Sequence, residues 1–137
     1  VFRRFFYSRA EGTRSMKVLL GIGGGDDSVR ALEQTVSRAA EAGDDLTVAV
    51  VDDHGTDQPT DDIEAEVDRV LEAATVEAEV RHVDGDAGSE LVRIAESEGF
   101  DRIALGGGTT SPMGKIQLGS TAQFVLLNAH TTVSLVR

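Results

Sequence analysis

The chain has 137 residues, 40% of them apolar and 4% aromatic, with no cysteine and a formal net charge of −11. This length and apolar content suit one domain with one core, and the lack of cysteine excludes disulfides, thiolate nucleophiles and cysteine-ligated zinc or iron–sulfur sites and points to the cytoplasm. So acidic a surface repels phosphate backbones and anionic membranes, which argues against nucleic acid and membrane as partners.

Residues 1–15, VFRRFFYSRAEGTRS, set Arg3, Arg4, Arg9 and Arg14 against Glu11, so the rest of the chain is more acidic than the whole. They include Phe2, Phe5, Phe6 and Tyr7 but no apolar run of signal-peptide length and no small-residue cleavage pattern. The stretch reads as a disordered extension, with Met16 opening a domain over 16–137. A basic aromatic arm that touches a membrane or a partner is the other reading.

From Met16 onward, β-branched apolar runs alternate with amphipathic segments. KVLLGI (17–22) reads as a buried strand. DDSVRALEQTVSRAAEAG (26–43) reads as a helix with apolar residues at 29, 32, 36, 39 and 40 and a stop at Gly43. LTVAVV (46–51) is a second strand, and after the loop DDHGTDQPT, Thr60 or Asp61 caps a helix whose Ile63, Val67, Val70 and Leu71 share a face. VEAEVRHV (76–83) predicts a third strand, and a helix near Ser89 carries Leu91, Val92, Ile94 and Ala95 up to Gly99. DRIALG (101–106), a helix over 120–128 and a strand TTVSLVR (131–137) complete the pattern. Five strands alternating with four helices imply an α/β fold, a three-layer α/β/α open sandwich around a parallel sheet. Ligands of such sheets sit beyond the carboxyl ends of the strands, where both glycine-rich loops fall.

The loop GGGTTSPMGKIQLGST (106–121) holds the densest chemistry. Its Gly114-Lys115 pair does not make a GxxxxGK[ST] phosphate loop, because Thr109 and Ile116 stand where glycine and a hydroxyl residue are needed. Consecutive glycines leaving a strand let backbone amides converge on an anion. Gly119-Ser120-Thr121 opens a helix whose free amides and dipole favour phosphate, and Lys115 adds a point charge. The competing reading is a plain turn followed by a helix cap.

The spacing of Gly106, Thr109 and Gly119-Ser120 resembles the G-2x-G-9x-G-[ST] nucleotide loop of the universal stress protein family, and the likeness covers 17–137. SPMGKIQLGSTAQFVLLNA (111–129) is similar to halophilic archaeal members, as is the acidic composition with lysine only at Lys17 and Lys115. The resemblance implies strand order 3-2-1-4-5, the adenine nucleotide alpha hydrolase-like arrangement. It also implies an adenine nucleotide, ATP with Mg2+, held at Gly106, Gly108, Thr109, Lys115, Gly119, Ser120 and Thr121. Val50 would face the adenine, with Leu105 near the base. A homodimer through strand 131–137 is implied as well, although the family's proline before that strand is replaced by Thr131 and Thr132. Two positions depart from the family pattern: Thr109 replaces its second loop glycine, and Gly23 stands where ATP-binding members have an aspartate. A non-nucleotide dimeric stress or interaction module of the same fold is therefore the alternative.

Other chemistries fit less well. GGGDDS (23–28) resembles the SGGxDS loop of PP-loop pyrophosphatases, through which Gly24, Gly25 and Ser28 would help hold an anion. A glycine-rich link to a helix capped by Asp26 is the preferred explanation. Asp26, Asp27 and Asp84 resemble the acidic pocket of response-regulator receivers, but 131–137 supplies neither the lysine nor the following helix which that pocket needs. His54, His82 and His130 lack paired-ligand spacing, and no nucleophile with its base occurs, so the expected role is binding, with at most weak ATP hydrolysis.

Overall fold

The computed structural model describes residues 16–23, 26–51, 60–106, 109, 110, 116, 117 and 119–136. Its elements in chain order are β1 (Lys17–Ile22), α1 (Asp26–Ala42), β2 (Asp45–Val51), α2 (Thr60–Ala74), β3 (Glu79–Val83) and α3 (Ala87–Ser97). These are followed by β4 (Arg102–Gly106), β5 (Thr109–Thr110), β6 (Ile116–Gln117), α4 (Ser120–Asn128) and β7 (Thr132–Val136). A five-stranded sheet runs β3-β2-β1-β4-β7, every neighbouring pair parallel. Since β7 is the fifth strand of that sheet, the order is the expected 3-2-1-4-5.

The period of two along each strand sorts the core into two layers. Val18, Leu20 and Ile22 of β1 join Val48 and Val50 of β2 on the face covered by α1 and α2, where Leu32, Val36, Ile63 and Val67 meet them. Leu19, Ala49, Ile103 and Leu105 face the other way, against Leu91, Ile94 and Val125 of α3 and α4. Both faces of β1 are buried, which is why its sequence reads as a continuous apolar run. Gly21 admits α3 closely: a Cβ there would lie 2.8 Å from Leu91 Cδ1.

Helix ends follow capping chemistry. Asp86 caps α3, accepting the Ser89 amide at 3.0 Å. Gly43 and Gly99 close α1 and α3 in the left-handed region, at φ 73° and 72°. At the end of α2 the same position holds Thr75, at φ 57°.

Three expectations change. The third strand was expected over 76–83 but pairs only from Glu79, because Val76 N–H turns back to Leu71 O at 3.0 Å and the preceding residues are spent in the turn. In α1 the buried stripe is Ala31, Leu32, Thr35, Val36 and Ala39, while Ala40 is exposed, since the axis lies over β1 and β4 and the face is rotated accordingly. The last strand spans Thr132–Val136: Thr131 precedes the ladder, and Arg137 lies outside the described residues.

Candidate functional site

Strand order reverses between β1, the central strand, and its neighbour β4, so the crevice at their carboxyl ends is the topological switch point. Gly21 is in register with Leu105, so β1 and β4 both end at that crevice, Gly23 following the last residue of β1 and Gly106 being the last of β4. Gly106 is half-buried and pairs with Val136 of β7.

The loop leaving Gly106 is not the open connection that its composition predicts. Thr109, just beyond β4, pairs with Gln117, just before α4, and Thr110 pairs with Ile116, in a short antiparallel ribbon. This pairing draws the start of α4 back toward the end of β4. It also places Thr109, at the family's glycine position, in a strand pair. Gly108 and Lys115 lie outside the described residues, as do Gly24, Gly25 and His54.

Gly119 is the N-cap of α4, with extended backbone (φ −69°, ψ 166°) and no side chain to accept a first-turn amide. Its carbonyl accepts the Gln123 amide at 3.1 Å, so the helix proper begins there. Ser120 is exposed and Thr121 half-buried, so both sit at the accessible, positive end of the helix dipole. The first turn of α4 contains no acidic residue, which matters in a chain of this charge. A Cβ on Gly119 would meet nothing within 4 Å among the described residues. Its φ does not require glycine, and no described residue packs against the position.

The remaining predicted residues separate. Val50 is fully buried, in register with Ile22 and His82, on the face covered by α1 and α2. Leu105 is buried on the opposite face, against α3 and α4. Both stand near strand ends, yet the sheet lies between their side chains. Gly23 is buried, and its amide donates to Ser28 Oγ at 3.3 Å. That local bond closes the turn from β1 into α1 and occupies an amide that an anion would otherwise use. The hydroxyl at position 28, three residues into the helix-start signal, was the sequence cue for it.

No cluster of three His, Asp or Glu side chains suited to a metal occurs among the described residues. His82 Nε2 meets Glu64 Oε2 at 2.7 Å and His130 Nδ1 meets Glu96 Oε2 at 3.4 Å, each an exposed pair far from metal geometry. No helix among the described residues is long and apolar enough to cross a membrane.

Comparison with known proteins places this geometry in context. The profile described as "Universal stress protein family" matches residues 15–137. A universal stress protein solved in complex with cAMP is 25% identical, with a TM-score of 0.70 over 90% of this chain and 98% of that one. The universal stress protein from Archaeoglobus fulgidus in complex with dAMP is 20% identical, with a TM-score of 0.65 over 89% of this chain and 98% of that one. A Lactobacillus plantarum member is 21% identical, with a TM-score of 0.64 over 90% and 99% of the two chains. A search of curated proteins found no match.

Proposed function

The chain belongs to the universal stress protein family, and on that premise we propose that it is a sensor or regulatory domain binding an adenine nucleotide, ATP with Mg2+, at the crevice between β1 and β4. The observation that carries this reading is Gly119, the N-cap of α4, where a Cβ would meet nothing within 4 Å among the described residues, so that the first-turn amides are open to an anion. Ser120 and Thr121 would add hydroxyl and amide donors to the phosphates, and Gly106, Gly108, Thr109 and Lys115 would complete the cradle. The cAMP and dAMP complexes of the similar proteins support an adenine ligand. Val50 would reach the adenine only along the face covered by α1 and α2, at the end of β2.

The same reading includes a homodimer through residues 131–137 and a cytoplasmic setting at high salt. Supporting the dimer, β7 ends the sheet and has no strand on its outer side among the described residues, an edge open to a second copy. The acid-rich composition supports the high-salt setting.

A non-nucleotide interaction module is the second reading. It is favoured by the Gly23 amide already donating to Ser28 and by Thr109 lying in the ribbon. Calorimetric titration with ATP and magnesium in molar potassium chloride separates the two. Saturable binding, weakened at least tenfold by the Ser120→Ala, Thr121→Ala double substitution, is expected. Folded protein that binds no ATP would overturn the nucleotide site and leave the module.

A further inference from the structure

Away from the crevice, α1 crosses the amino half of β4 and reaches β7, leaving a cavity of about 220 Å³ between helix and sheet. Val18, Leu46, Ala104 and Val136 supply apolar walls, and Arg102, Ser134, Gln34 and Thr35 are among the polar ones. Arg102 Nε is buried and has no hydrogen-bond acceptor among the described residues. Asp44, the carboxylate in the described lining, is already engaged: Oδ1 accepts the Met16 amide at 3.1 Å and Oδ2 faces Arg38 Nε at 3.5 Å. The lining thus holds two guanidinium groups against one carboxylate, a local cationic excess in a chain of net charge −11.

A buried guanidinium nitrogen without an acceptor calls for one, and a planar carboxylate matches the guanidinium fork. The excess of a single charge suits a monoanion. At about 220 Å³ the cavity has room for a small organic anion rather than a lone water. We propose that this cavity binds a short-chain aliphatic monocarboxylate, its carboxylate on Arg102 and its alkyl chain against Val18, Leu46 and Ala104. The site uses none of the crevice residues and so stands apart from the nucleotide site, while Ser134 and Val136 also belong to the strand of the proposed dimer.

The test is an amide NMR titration of the full chain with sodium pentanoate, with pentanamide and inorganic phosphate as comparisons. Saturable shifts at Arg102, Ala104 and Ser134 are expected with pentanoate and not with the neutral amide. Arg102→Gln should weaken them at least tenfold. Ser134→Leu keeps the guanidinium but fills the cavity, should weaken binding equally, and decides the matter if Arg102→Gln does not fold. Absence of saturation in folded protein, equal response to pentanamide or phosphate, or unchanged affinity in Arg102→Gln would each overturn the site. So would sedimentation showing that self-association covers these residues while pentanoate has no effect, which would make a second copy the occupant.

Discussion

Gly88, in the first turn of α3, packs so tightly against Phe124 of α4 that a Cβ on it would lie 2.9 Å from Phe124 Cβ. That atom is fixed to the α4 backbone and cannot rotate away. The spacing of the two helices, and so the position of the α4 N-terminus at the crevice, therefore depends on the missing side chain of Gly88.

Gly88→Ala should accordingly destabilise the fold by about 1–3 kcal/mol, the usual cost of overpacking, and displace Gly119 and Ser120. Urea denaturation measures the first effect and ATP titration the second. Unchanged stability would mean that α4 shifts freely, and that α3 does not position the crevice.

Thr75 ends α2 in the left-handed region, a strained choice for a β-branched residue, where Gly43 and Gly99 serve α1 and α3. Thr75→Gly should stabilise the protein by about 1 kcal/mol, because the strain it relieves exceeds the added entropy of an unfolded glycine. The denaturation midpoint should rise; a fall would show that the threonine side chain makes a compensating contact.

Arg81 joins strand to helix by donating to both carboxylate oxygens of Glu98, at 2.7 Å each, and to Glu79 at 2.9 Å. The bond from Arg81 holds the Glu98 carboxyl below its ordinary range, and the His130 amide does the same for Glu96. Carboxyls depressed in the folded state bind protons less readily than in the unfolded chain. Their stabilisation is complete above the ordinary carboxylate range, near pH 4.5, and is lost as pH falls through their lower folded values. Glu98→Gln should cost less than about 1 kcal/mol at pH 7, because the pair is part-exposed and screened. It should also flatten the fall in stability between about pH 5 and pH 3. Parallel curves of urea midpoint against pH for the two proteins would show that Glu98 does not contribute to acid sensitivity.

Local pattern alone determined the alternation of strands and helices and the α2 face of Ile63, Val67, Val70 and Leu71, all buried as periodicity predicts. It also determined the glycine stops at Gly43 and Gly99, because burial period and capping are encoded by residues close together in the chain. The glycine spacing from Gly106 to Gly119 was equally legible, being a matter of which residue types follow a strand and open a helix. Tertiary structure decided the rest. Residue pairs as short as those of β5 and β6 carry no periodicity, so the ribbon that draws α4 toward β4 appears only when the partners meet. Val50 and Leu105 both read as strand-end apolar residues, and only the sheet's pairing put them on opposite faces. The contact of Gly88 with Phe124 and the unpartnered nitrogen of Arg102 each depend on which atoms become neighbours across the fold. A linear pattern specifies which way a side chain faces, but what it meets there is set by the packing of elements distant in sequence.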